Sequence, residues 1–191
     1  MNLLDLLYIP LAIITAPWWA GKKRSGWRER FGHVPPMAAP IRPRILLHAV
    51  SVGEVAALRP LVPLLTPHAD VVISVTTDTG TARARELFSG AATVVRYPLD
   101  FSWAVDRFLD SIKPTVVGLV ELEVWPNFVR HAQERRIPVG IINGRLSARS
   151  FRGYSRIAWF MRRLLRRLDF IAVQDEDYAG RFRALGAAPD H

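Results

Sequence analysis

Two acidic turns carry the most direct chemistry in this sequence. In HAVSVGE, His48 to Glu54, an apolar run reaches Gly53 and is followed at once by a carboxylate; in VELEVWPNF, Glu121 and Glu123 follow another apolar run, two residues apart. A carboxylate within hydrogen-bond reach of an acceptor hydroxyl can take its proton as the oxygen attacks an electrophile. Glu54 has a second reading, as an acid in the first turn of a helix that answers free backbone amides. Glu121 and Glu123, on an extended strand end, point to one side, and burying both unpaired is costly. They are expected to face a cleft, a cation or a polar ligand, or to pair with Arg145 as a structural bridge.

Two further stretches suit anions. TTDTGT, Thr76 to Thr81, joins hydroxyls, a glycine and the free amides of a helix start, although it is neither a Walker loop nor a dinucleotide fingerprint. NGRLSARS, Asn143 to Ser150, brings in Arg145 and Arg149, and arginine is the usual bidentate partner of phosphate or carboxylate. AVSVG has the outline of a nucleophile elbow, with Ala49 in place of the first glycine. Its serine follows the first strand rather than a central one, and His131 and His191 are poorly placed to complete a triad. The five histidines show no ligand spacing, so no metal is expected. No cysteine is present, which removes disulfides and thiolate chemistry.

These residues need a scaffold, and the hydrophobic pattern supplies one. Apolar runs rich in β-branched residues occur at 44–50, 70–76, 93–97, 114–120, 137–143 and 169–174. They lack strict alternation, which predicts strands buried on both faces in a parallel sheet. Helical spacing occupies 54–65, 81–88, 102–112, 126–135, 154–168 and 176–185, with Pro60 and Pro63 delaying or kinking the first of these. Repeated strand and helix predict a Rossmann-like, doubly wound α/β fold. In such sheets ligands bind beyond the carboxyl ends of the strands. That edge receives Ser51, Gly53, Glu54, Thr77, Asp100, Glu121, Glu123, Asn143 and Arg145.

The net charge of +9 over 191 residues is concentrated. Residues 22–30 carry +4 and residues 149–168 carry +7, leaving the rest at −2. Both patches adjoin apolar segments instead of tracking a groove, so no nucleic-acid partner is expected. Leu3 to Ala20 is apolar but broken by Asp5, Pro10 and Pro17, and it is flanked by Trp18, Trp19, Trp27, Lys22, Lys23 and Arg24. That flank predicts a membrane anchor over residues 1–30, spanning or interfacial, with an amphipathic helix covering the domain as the alternative. Residues 31–43, with Pro35, Pro36, Pro40 and Pro43, read as a linker, and 44–191 as the domain. In YSRIAWFMRRLLRRL, Ile157, Phe160, Met161, Leu164, Leu165 and Leu168 form one face. Arg162, Arg163, Arg166 and Arg167 fill the others, which predicts contact with anionic lipid.

HAVSVGE, TTDTGT, YPLDF, VELEVWPNF, IPVGIINGRLSARSFRGY and AVQDEDYAGRFRALGA resemble, in order, the amino-terminal half of the bacterial 3-deoxy-D-manno-octulosonic acid (Kdo) transferases of lipopolysaccharide synthesis. The resemblance implies the first domain of an inverting, metal-independent GT-B glycosyltransferase without a cofactor, moving Kdo from CMP-Kdo to a lipid A precursor at the cytoplasmic face of the inner membrane. It implies that Glu54 is the general base and that Glu121 organises the site. Ser51, Gly53, Thr77, Glu123, Asn143 and Arg145 would line the acceptor surface. Leu122 departs from the ETE form of the second motif, and TTDTG is shorter than the loop of some members. The family continues past the position of His191 into a donor domain that would hold CMP-Kdo. The 191 residues alone are therefore expected not to turn over, and a catalytically silent lipid-binding module is the alternative.

Overall fold

Short β-branched runs, each closed by a polar turn, build one parallel sheet. Its strands are β1 (Arg44–Ala49), β2 (Asp70–Val75), β3 (Thr93–Arg96), β4 (Val116–Val120), β5 (Val139–Gly144) and β6 (Phe170–Val173), in the order β3-β2-β1-β4-β5-β6. The computed structural model describes residues 4–6, 8, 10 and 25–188. The winding reverses between β1 and β4, the switch point at which doubly wound sheets open a ligand crevice. Their register pairs Ile45 with Val116 and His48 with Leu119, so the turns after both strands emerge side by side.

Residues 4–6, 8 and 10 are helical, and from residue 25 on the helices are α1 (Trp27–Arg30), α2 (Val52–Ala57), α3 (Val62–Leu65), α4 (Asp78–Leu87), α5 (Ser102–Ile112), α6 (Pro126–Glu134), α7 (Ala148–Ser155), α8 (Ala158–Leu165) and α9 (Glu176–Ala184). Successive strand side chains face opposite ways, which divides the core in two. Leu46, Val72 and Leu119 pack with Phe108 of α5, Phe128 of α6 and Phe182 of α9. Leu47, Ile73 and Val120 pack with Val55 of α2 and Ala84 of α4. His48 is fully buried in β1, stacked on Tyr97 with 3.6 Å between ring centroids, and burial lowers its pKa to about 3.

Several expected boundaries move for local reasons. The first helix starts early, at Val52, because Ser51 caps it, and it splits before Val62 with Pro63 in the first turn of α3. The expected 154–168 helix is two, α7 and α8, separated at Ile157, whose backbone is not helical (φ −121°). Ile157 is 43% exposed and leaves the predicted apolar face, whereas Met161, Leu164, Leu165 and Leu168 are buried as that face requires. β6 is not covered on both faces; as an edge strand it is only half-buried.

Residues 31–43 hold no helix, yet they lie packed on the domain instead of hanging free. Val34 is buried, and the Met37 amide donates to Ser111 O at 2.8 Å. The described part of the front segment is likewise fastened down. Asp5 is fully buried and accepts from the Ser102 amide at 2.9 Å, from the Ser102 hydroxyl and from Asn127 Nδ2 at 3.2 Å. Asp5 interrupts the apolar stretch because it caps α5, whose own N-cap, Phe101, offers no side-chain acceptor. No helix among the described residues is long and apolar enough to cross a membrane. Trp18, Trp19, Lys22, Lys23 and Arg24 lie outside the described residues.

Candidate functional site

The turn after β1 is held by a capping box. Ser51 accepts from the Glu54 amide at 3.3 Å and donates its hydroxyl to Glu54 Oε1 at 2.7 Å, while Glu54 Oε2 takes the Val50 amide at 2.8 Å. Glu54 is 9% exposed, so the capping role foreseen for it is real. Gly53 approaches nothing closely: an added Cβ would meet only Ser51 Oγ, at 3.9 Å. The loop after β2 is tied to the same turn. Thr77 caps α4 by accepting from the Gly80 amide at 3.1 Å, and its hydroxyl donates to Val50 O at 2.8 Å. Ser51 and Thr77 thus already use their hydroxyls within the fold.

Beside them, the turn after β4 is bent sharply. Glu121 adopts φ +61°, a left-handed conformation costly for a residue with a Cβ. The expectation that Glu121 and Glu123 share one side of an extended strand therefore fails in its local geometry. Both acids still belong to one electrostatic cluster. Burial raises the pKa of the Glu123 carboxyl above the ordinary value, and the charges of Glu54 and Glu121 add to the shift; a Trp125 hydrogen bond opposes it. Glu123 is therefore within electrostatic reach of both Glu54 and Glu121, although the chain separates Glu54 from the other two by more than sixty residues.

Arg145, beyond β5, reaches Glu121 Oε1 at 3.5 Å. This is the bridge foreseen from the sequence. Both side chains are substantially exposed, so the pair adds little stability. Asn143, also left-handed at φ +54°, accepts from Gln174 Nε2 at 2.7 Å, joining the ends of β5 and β6. Arg145 and Asn143 therefore lie at the same sheet edge as the acids, Arg145 in contact with Glu121 and Asn143 turned to the β6 side.

Next to the acids opens a cleft of about 330 Å³, lined by Tyr8, Leu122, Glu123, Trp125, Tyr154 and Met161 among others. Its walls are mainly apolar, with Glu123 as their acid. Below it lies a polar knot with no clear sequence signal. Asp100 caps α6 by accepting from the Asn127 amide at 3.0 Å and the Phe128 amide at 2.8 Å, and it takes the Tyr8 hydroxyl at 3.1 Å. Desolvation raises its pKa to about 7 against those hydrogen bonds. The aspartate in YPLDF was visible, but its partners are 27 or more residues away in sequence.

Arg162, Arg163 and Arg166 are exposed on and just after α8, and Arg167 is half-buried, its carbonyl taking Gln133 Nε2 at 2.6 Å. None of the four forms an ion pair among the described residues.

Residues 25–191 match a protein family described as 3-deoxy-D-manno-octulosonic-acid transferase. A 3-deoxy-D-manno-octulosonic acid transferase of Haemophilus influenzae is 33% identical over 96% of this chain and 43% of its own length. The transferase of Bordetella pertussis is 34% identical over 88% of the chain and 42% of its own length. A probable mitochondrial transferase of Arabidopsis thaliana is 36% identical over 86% and 38%. The chain thus spans less than half the length of these curated relatives. Among solved structures, a UDP-GlcNAc 2-epimerase of Neisseria meningitidis superposes with a TM-score of 0.54 at 15% identity, over 77% of this chain and 44% of that one, a likeness of fold alone.

Proposed function

The chain belongs to the 3-deoxy-D-manno-octulosonic-acid transferase family, and on that premise we propose that it is the acceptor-binding, base-carrying half of an inverting GT-B glycosyltransferase. The acceptor is a lipid A precursor. The donor, CMP-Kdo, is held by a second domain facing the carboxyl edge of the sheet, at the cytoplasmic face of the bacterial inner membrane. Glu54 takes the proton of the attacking acceptor hydroxyl, the freed oxygen bonds to the anomeric carbon, and CMP departs with the electrons of the broken bond. Glu121 and Arg145 order the rim of the site, with Ser51, Gly53, Thr77, Glu123 and Asn143 shaping the surface on which the acceptor lies.

The observation that supports this reading is that the turns after the adjacent strands β1 and β4 bring Glu54 and Glu121 within electrostatic reach of Glu123, which lines an apolar cleft. The basic surface of α8 suits an anionic lipid surface. The test is Glu54→Gln in a chain carrying both halves. Transfer should fall by about 10²–10⁴-fold while lipid binding persists; a loss smaller than tenfold would overturn the base assignment.

One observation favours a second reading, a catalytically silent lipid-binding module. Both Glu54 oxygens already accept hydrogen bonds inside the cap. The same variant decides: on that reading it changes lipid binding and fold stability only.

A further inference from the structure

Two arginines close on one aspartate behind the acid-bearing turns. Arg30 ends α1 and Arg96 ends β3, with only 4% and 7% of their side chains exposed, and both reach Asp78 in the first turn of α4. Burying a guanidinium is costly unless it is paired and hydrogen-bonded. Arg96 pairs with Asp78 Oδ1 and donates from Nη2 to Ser25 Oγ. Ser25 in turn donates to Asp78, through its amide at 3.2 Å and its hydroxyl at 3.1 Å. Arg30 lies 3.5 Å from Asp78 Oδ1 and donates from Nε to Ser25 O at 3.2 Å. Only glycine fits at 26, where φ is +70° and an added Cβ would fall 2.1 Å from Arg96 Nε.

The connections of this clamp run on toward the candidate base. Arg30 Nη2 donates to Thr76 O at 2.8 Å, so Arg30 holds the residues on both sides of Thr77, one by its carbonyl and the other by its carboxylate. Thr76 and Thr77 bind the end of β1: the Thr76 amide donates to Ala49 O at 3.3 Å and the Thr77 amide to Val50 O at 3.2 Å. The Thr77 hydroxyl adds a bond of 2.8 Å to the same Val50 oxygen. Val50 then gives its own amide to Glu54 Oε2 at 2.8 Å. Single residues linked by hydrogen bonds thus lead from the Arg30 guanidinium to the Glu54 carboxylate.

We propose that Arg30 and Arg96, closed on Asp78, are positioning residues for the turn that carries Glu54. The clamp fixes Thr76 and Thr77, Thr77 fixes Val50, and the Val50 amide sets where the carboxylate points. Residues 25–30 are then part of the framework of the site, although they lie beyond the opposite face of the Thr77 turn. A base must be held in one geometry to act on a bound hydroxyl, and a small displacement is felt in the rate of the chemical step. The effect on transfer rests on Glu54 being the base; the hold on its turn does not.

Amide hydrogen exchange, followed by NMR on the 191-residue chain, tests the hold without any reaction. Two variants are compared with the native chain. Arg30→Lys keeps the charge but loses the fork, and Asp78→Asn alters a side chain that is 38% exposed, so it decides alone should Arg30→Lys not fold. The reporter is the Val50 amide, and the reference is the Val139 amide, bonded to Asp169 at 2.8 Å at the start of β5. Exchange at Val50 faster by about tenfold or more, with Val139 unchanged, supports the proposal. No acceleration, or equal acceleration at both amides, overturns it. In a two-domain chain the same variants should lower kcat by about tenfold at an acceptor KM within about twofold of native, measured beside Glu54→Gln. Full transfer by Glu54→Gln would remove the base reading and leave exchange to decide the hold on the turn. Transfer lost in Glu54→Gln yet native in both clamp variants overturns the positioning role.

Discussion

The Ser51 hydroxyl and the Glu54 carboxylate hold each other: Oγ donates to Oε1 at 2.7 Å and accepts the Glu54 amide at 3.3 Å. Ser51→Ala removes both bonds. Its unfolding free energy should fall by about 1 kcal/mol, read as a lower urea midpoint at unchanged slope. A change within error would mean that the Val50 amide alone holds the acid.

Glu121 separates fold from function. Its left-handed backbone favours glycine, and its ion pair with Arg145 is largely solvent-screened. Glu121→Gly should therefore leave stability unchanged or raise it by up to about 1 kcal/mol, while transfer by a two-domain chain drops. A strongly destabilised variant would make Glu121 a residue of the fold.

Gly80 tests the link between the two neighbouring turns. A Cβ there would sit 2.7 Å from Thr77 Oγ1, 2.8 Å from Val75 Cγ1 and 3.3 Å from Val50 O. Gly80→Ala must push Thr77 away from Val50, and a loss of roughly 1–3 kcal/mol is expected by chemical denaturation. Transfer by a two-domain chain should fall as well, because Val50 in turn holds Glu54.

Asp100 predicts a pH dependence of defined sign. Its folded pKa of about 7 lies above the unfolded value of 3.8, so its contribution is full below pH 4 and is lost as pH rises through 7. His48 works in the opposite sense, since its folded pKa of about 3 lies below 6.5 and its contribution is lost as pH falls. Thermal unfolding of the native chain and of Asp100→Asn, compared from pH 4 to 7, isolates the first effect. The native chain should lose stability relative to the variant by up to about 1.4 kcal/mol per pH unit. A constant difference would refute it.

The sheet was legible because its signal is local. Five of the six expected runs contain the observed strands and β5 runs one residue past its expected end, with no end moved by more than two residues. The capping role of Glu54 was legible, since the S-x-x-E spacing that makes a cap is local. What escaped depends on distant partners. Asp5 reads as a flaw in an apolar stretch until Ser102, 97 residues away, is seen to need a cap. Tyr8 and Phe101 show no shared period, because two separate segments bring their rings together at 6.2 Å. The α7–α8 break was missed because the apolar spacing continues through Ile157 while the backbone does not.

β1 and β4 are paired neighbours although β2 and β3 intervene in sequence, and Gly118 sits where an added Cβ would come within 3.1 Å of Leu47. The separation of the two acid-bearing turns is therefore gauged by interior packing many ångströms below them. Inheritance of this geometry is entrusted to residues that no substrate ever meets. A screen for inactive variants should accordingly return substitutions at the middle of these strands, indistinguishable by activity from losses of the acids themselves yet separable by their altered melting.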